Sequence, residues 1–274
     1  MSQTRNAGNE SSWIEKLARF GYIAKGIVYA IVGLLALQVA LGNGGKTTDT
    51  KGALSTIAAQ PFGQFMLAVV ALGLIGYVVW RFVQAIQDPD QRGKSNDADD
   101  IVRRIGYGIS GLIYASLAFT AIQIVVKANQ SASGGTTKQT WTARLLAQPF
   151  GQWLVGIIGA IIIGYGFYQF YKAYKAKFRK KMKLHEMSNT EETWATRAGR
   201  LGLAARGVVF VMIGFFAIQA GLQYDSSEVR GLDGALETLT RQPYGAWLLG
   251  IVAIGLIAYG IHMFAQAQYR RIRV

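Results

Sequence analysis

The chain has 274 residues, 51% of them apolar, with a formal charge of +14, no cysteine and two histidines. Its charges gather between long uncharged runs instead of alternating with apolar positions, which excludes an ordinary soluble domain. Disulfides, thiolate metal sites and cysteine nucleophiles are excluded outright, and His185 with His262 alone does not supply a haem held by two histidines.

A polar segment of mixed charge, residues 1–18, opens the chain. The first apolar run, 21–41, follows, and five more lie at 61–80, 105–126, 150–171, 201–223 and 244–268. Each has the roughly 20 residues a helix needs to cross a hydrocarbon core of about 30 Å. None contains Asp or Glu. The first run recurs twice downstream, so it reads as a retained span and not as a signal peptide. The fold class is therefore all-α membrane, with six transmembrane helices.

The organisation reads as an amino-terminal segment (1–18), a first two-span unit (19–89), a charged linker (90–103), a second unit with a basic extension (104–183), a linker (184–199) and a third unit (200–274). Lys and Arg on the side shared by both termini number 20, against 7 on the other. The positive-inside rule then puts both termini in the cytoplasm. No basic domain stands apart from the spans, so nucleic acid is not expected as a partner.

Internal repetition is the most specific signal. An R-x-G motif with a second glycine five residues on appears as Arg19, Gly21 and Gly26, as Arg104, Gly106 and Gly111, and as Arg200, Gly202 and Gly207. An aromatic follows three residues later (Tyr29, Tyr114, Phe210), and a glutamine falls near the far end (Gln38, Gln123, Gln219). A second motif, Q-P-F/Y-G, opens each even-numbered span at Pro61, Pro149 and Pro243, where a proline suits the first helical turn. The residues before it carry a helical apolar spacing that predicts a short interfacial helix, with an ordered loop as the alternative. Small residues seven apart form stripes through Gly26, Gly111 and Gly207 that let helices approach closely. Three two-span units share one orientation, so they are parallel repeats, and a pseudo-threefold bundle is the expected packing.

These motifs and the three-times-two-span layout resemble the bacterial membrane family catalogued as domain of unknown function 1206, over nearly the whole chain. The resemblance implies a fold and a membrane location, with no activity attached. Mitochondrial carriers also have three two-helix repeats, but their P-x-D/E-x-x-K/R signature is absent at every proline.

Lys25 and Arg206 occupy one repeat position about a turn inside the membrane edge, with Ser110 at the third copy. They read either as snorkelling cations or as an inner vestibule lined with Tyr29, Tyr114 and Phe210, where two cations favour an anion. Gln38, Gln123 and Gln219 are candidates for an outer ring. Lys172, Lys175, Lys177, Arg179, Lys180, Lys181 and Lys183 follow the fourth span and are candidate contacts for anionic lipid. Gly108 to Gly111 around Ser110, with His262, has a faint likeness to a rhomboid protease, but no oxyanion hole is recognisable.

No cofactor or metal is expected, and no enzymatic activity. The sequence points first to a structural, assembly or interaction protein in contact with anionic lipid and a membrane-protein partner. The alternative is a passive channel or uniporter-like pathway for a small anionic solute along the pseudo-threefold axis. An intramembrane serine protease is the remote alternative.

Overall fold

A computed structural model describes residues 3–87, 97–126, 142–143, 146–148 and 150–272, and side chains from residue 13 onward within them except 97–100 and 102. The spans are α1 (Gln3–Ala40), α3 (Gly63–Gln87), α4 (Asp97–Val126), α5 (Gly151–Lys175), α6 (Asn189–Gln223) and α8 (Gly245–Tyr269). Two short helices, α2 (Thr50–Ala58) and α7 (Leu232–Thr240), precede α3 and α8. Six helices are long and apolar enough to cross a membrane, and the described residues contain no strand beyond an isolated Met182–Arg270 bridge.

In the first and third repeats the short helices settle the choice between helix and loop ahead of the Q-P-F/Y-G motif, while Trp141 and Leu145 of the second lie outside the described residues. In α2 the buried face is Ala53, Leu54 and Ile57, and in α7 it is Ala235, Leu236 and Leu239. The prolines, however, do not open the spans. Gly63 donates to the carbonyl of Gln60 at 2.7 Å and Gly245 to that of Gln242 at 2.8 Å, so Pro61 and Pro243 sit at the second position of a tight turn. The next residue, Phe62, Phe150 or Tyr244, takes a positive φ of 59°, 65° or 60°. Such a backbone costs a side-chain-bearing residue about 1–3 kcal/mol. Glycine cannot be exchanged for it at the following position, because a Cβ on Gly63 would lie 2.3 Å from the carbonyl oxygen of Ile57. The chain must turn within one residue to bring the short helix against the span. Pro149 lies outside the described residues, but Gly151 donates to Gln148 at 2.9 Å in the same manner.

The R-x-G arginine has a structural use that spacing alone did not expose. Arg19 donates to the carbonyls of Ala267 and Gln268 at the end of α8, both at 2.5 Å. Arg104 does the same for Ala85 and Ile86 at the end of α3, at 2.7 and 2.6 Å. A cation on the last carbonyls satisfies orphan acceptors and the negative end of the helix dipole. The first repeat is thereby latched to the third, and the second to the first.

The spans pack as a ring in chain order: α1 on α3, α3 on α4, α5 on α6, α6 on α8, and α8 back on α1. The interfaces between repeats are related by the threefold pseudo-symmetry. A Cβ on Gly26 would meet Phe264, one on Gly111 would meet Phe82 and one on Gly207 would meet Phe170, the three phenylalanines being repeat equivalents. The glycine stripes are thus packing surfaces. One link is missing, since α4 and α5, the two spans of the second repeat, lack a packed interface.

Candidate anion-binding chamber

Each inter-repeat interface carries an aromatic pair at the same level. Tyr29 packs on Tyr259 with centroids 4.8 Å apart, Tyr114 on Tyr77 at 4.6 Å, and Phe210 on Tyr165 at 5.0 Å, all edge-to-face. Six rings, one from each span, form a collar within the bundle. Edge-to-face contact places positive ring edges on negative ring faces, so the collar is a preferred packing and not only a filled space.

Lys25 and Arg206 sit on this collar, turned into the bundle and only 3% and 9% exposed. The Lys25 ammonium donates to the Tyr77 hydroxyl at 2.9 Å and lies 4.7 Å from the Tyr77 ring, 4.6 Å from Tyr114, 5.5 Å from Tyr259 and 6.0 Å from Tyr29. Arg206 donates to the Tyr259 hydroxyl at 2.6 Å and stacks near Tyr259, Phe210 and Tyr29 at 4.5, 5.1 and 5.4 Å. Arg81 comes from α3 to the same Tyr77 oxygen, at 2.8 Å through Nε and in a second short contact, and reaches Gln84 Oε1 at 2.9 Å. Half-buried Lys172 joins from α5 over the Tyr168 ring at 5.5 Å.

No carboxylate pairs with Lys25, Arg81, Lys172 or Arg206 among the described residues. The Nε of Arg206 is buried without a hydrogen-bond acceptor, and a lysine ammonium has three donors where Lys25 uses one. Tyr77 and Tyr259 accept hydrogen bonds from these cations, and neither hydroxyl donates one to another described residue. Ring faces within about 6 Å contribute roughly 0.5–2 kcal/mol each, whereas burying one unpaired ion costs several. The aromatic faces hold the cations in place, and the donors left over are those an oxyanion would accept.

The inner-vestibule residues Lys25, Arg206, Tyr29, Tyr114 and Phe210 therefore converge, while Ser110 is half-buried and makes no hydrogen bond there. The proposed outer glutamines do not come together: Gln38 and Gln123 are exposed, and Gln219 reaches Glu228 at 3.4 Å. The basic run divides. Arg179 pairs with Glu192, Lys181 reaches the Tyr107 hydroxyl at 3.2 Å, and Lys183 pairs with Glu186 at 3.0 Å, which holds that carboxyl below its usual pKa. Lys175 and Lys177 are exposed beside Tyr174 and Tyr171, and Lys180 is exposed as well. The strand-like tail closes over this run, with Lys183 donating to Tyr269 at 2.8 Å and Arg271 to Lys181 at 2.9 Å.

His262 lies inside the bundle. It is fully enclosed against Phe178, 4.5 Å between ring centroids, and bonds Gln266 at 2.7 Å, with no contact to Ser110. At the opposite end, a groove of about 300 Å³ between α5 and α6 is lined by Gln152, Trp153, Gly156, Ile157 and Leu222 and holds none of the cations.

Reading the spans in isolation missed Tyr77, Tyr165, Tyr259 and Arg81. The signal was present, since the three tyrosines stand at one position of the repeat, 17 residues after the glutamine of Q-P-F/Y-G.

A six-span, three-repeat membrane bundle with buried cations held on tyrosines is the class that fold and site define. The chain belongs to the family described as Domain of Unknown Function (DUF1206), which matches residues 20–88, 105–176 and 201–270, one segment per repeat. It is also similar to the uncharacterized protein YxxB of Bacillus subtilis (strain 168), 39% identical over 258 residues, covering 94% of this chain and 92% of the relative. No solved structure matches.

Proposed function

We propose that this protein binds an anion inside the bundle, as a non-enzymatic component of a bacterial inner membrane with both termini cytoplasmic. The observation that carries the reading is the set Lys25, Arg81 and Arg206, held on tyrosines with no carboxylate to compensate them among the described residues. Cations buried purely as struts would be paired, because an unpaired buried charge destabilises a fold. The excess of basic residues on the terminal face supports the orientation and would raise the local concentration of anions there.

A second reading, a structural or assembly protein, draws on the collar and on the aliphatic core beyond it, where Leu67, Leu74, Leu249 and Leu256 are fully buried. Under the anion-binding reading, flux along the axis would require the collar to part. Thermal unfolding of the full chain in detergent, with added inorganic phosphate or sulfate at constant ionic strength, tests the proposal. Stabilisation in the wild type that disappears in the K25Q/R206Q variant is expected. An equal response in both proteins, or none in the wild type, would sink it.

A further inference from the structure

The missing link in the ring is written into the second repeat residue by residue. In the first repeat, Gly73 of α3 lies against Ala24 of α1, and a Cβ added there would fall 2.6 Å from the Ala24 methyl. In the third, Gly255 of α8 lies against Ala205 of α6 in the same way, at 2.3 Å. The equivalent pair in the second repeat is Ile161 and Ile109. Two branched side chains now stand where the other repeats need a glycine and an alanine, and helices separated by such side chains cannot approach to the same distance.

The consequences run along the whole seam. A Cβ on Gly21 or Gly202 would fall 2.5 Å from Tyr77 or Tyr259, whereas Gly106, their equivalent, has nothing within 4 Å. Gly164 likewise faces open space, while its equivalent Gly76 abuts Leu17. Tyr165 is 44% exposed where Tyr77 and Tyr259 are buried. Ile109, Ile113 and Ile161 are all exposed, so the walls of the seam are apolar. The seam ends beside cations: Tyr165 belongs to the collar against Phe210, and Lys172 lies on the same helix about two turns further on. In the other two repeats the position of Lys172 is held by Gln84 and Gln266.

We propose that the seam between α4 and α5 is a lateral portal for an anionic phospholipid, whose phosphate enters beside Lys172 toward Arg206 and whose acyl chain lies along Ile109, Ile113 and Ile161. The inference rests on the anion-binding reading and assigns its ligand class. Charge complementarity selects the headgroup: the inner end of the seam offers cations with no carboxylate partner among the described residues, which a zwitterionic lipid engages less well. The apolar walls select an amphiphile over a free ion, because an acyl chain covers surface that the second repeat leaves without a partner helix.

Native mass spectrometry of the full chain, extracted from vesicles of phosphatidylcholine with phosphatidylglycerol, reads the occupant. The expected result is one retained phosphatidylglycerol per chain, favoured about ten-fold over phosphatidylcholine, equivalent to about 1.4 kcal/mol. The variant I109A/I161G restores the alanine and glycine of the other repeats; it should lose the lipid yet keep its stabilisation by inorganic phosphate. Lipid retention unchanged in that variant would overturn the portal and leave the chamber standing. Phosphate stabilisation without any retained lipid in the wild type would do the same, and absence of both would remove the chamber too. If the double variant does not fold, a fluorophore on Cys introduced by I113C decides: quenching by spin-labelled phosphatidylglycerol exceeding that by spin-labelled phosphatidylcholine supports the portal. Equal quenching, or a disulfide dimer formed through I161C, would overturn it in favour of bulk lipid or a second copy.

Discussion

Arg206 holds the hydroxyl of Tyr259 at 2.6 Å as Lys25 holds that of Tyr77 at 2.9 Å, each cation reaching from an odd-numbered span to the even-numbered span of its own repeat. The third copy of the pair is Ser110 and Tyr165, and there the contact is absent. Two thirds of a symmetric arrangement are thus closed by cation and phenol, and the remaining third opens on the seam. Charge and opening lie at different points of the same ring.

Replacing Lys25 with methionine tests whether that charge is a strut. A buried, unpaired ammonium exchanged for an apolar side chain of similar length should leave stability unchanged or raise it by about 1–4 kcal/mol in buffer free of oxyanions. The melting temperature in detergent reports this. A clear fall would mean that the Lys25 to Tyr77 bond holds the fold and is not reserved for a ligand.

Tyr77→Phe removes the oxygen shared by Lys25 and Arg81, and two cations then face each other without a neutral acceptor between them. A hydrogen bond to a charged group is worth about 1.5–3 kcal/mol, so phosphate binding should change markedly, while Tyr165→Phe, which bonds no cation, should change it little. Phosphate titrations followed by thermal shift compare the two. Equal effects would detach the phenols from the site.

The repeat and the six spans were legible because each is a pattern counted three times, whereas the turn of Lys25 and Arg206 into the bundle was one of two readings that only their burial decides. The turn at Pro61 was not legible. A proline before a helix suits its first turn, and only the packing of α2 on α3 forces Phe62 into a positive φ and moves the start of the helix to Gly63. Division of the basic run was equally hidden, since the partners of Arg179 and Lys181 are Glu192 and Tyr107, on α6 and α4. The seam could have been read from Ile109 and Ile161, but only once the glycine and alanine of the other repeats were known to touch.

Gly26→Leu and Gly207→Leu should destabilise the bundle by about 1–3 kcal/mol or more, because the new side chains meet Phe264 with the Gly260 carbonyl, and Phe170 with the Gly166 carbonyl. Gly108→Leu is the matched control, with open space at its Cβ position and no positive φ. Gly42 would be a poor control, since its φ of +74° strains any side chain. Equal losses of melting temperature at Gly26 and Gly108 would count against the packing stripe.

Orientation can be read directly, because no native cysteine interferes. Lys180 and Lys46 are both exposed and fall on opposite faces of the bundle. In intact cells, a cysteine at Lys46 should react with an impermeant thiol reagent, and one at Lys180 should react only after the membrane is opened. The reverse pattern would invert the topology and place the chamber toward the outer side.

The last prediction concerns energy coupling. Proton-driven transport needs a group in the spans that gains and loses a proton while facing the pathway. No Asp or Glu lies in the apolar runs, and the acidic residues of α6, Glu191 and Glu192, stand near its first turn outside them. His262 is the single residue in those runs whose unperturbed pKa falls near neutrality, and it is sealed between Phe178, Gly199 and Gln266 without exposure. Purified protein in liposomes should therefore show no uptake of phosphate or sulfate driven by an imposed proton gradient. Any flux present should be passive and should fall in the K25Q/R206Q variant, which removes two of the positive charges on the collar. Robust proton-driven uptake would defeat this prediction, and its survival in His262→Ala would point to another titratable group in the spans, the buried Lys25, as the proton carrier.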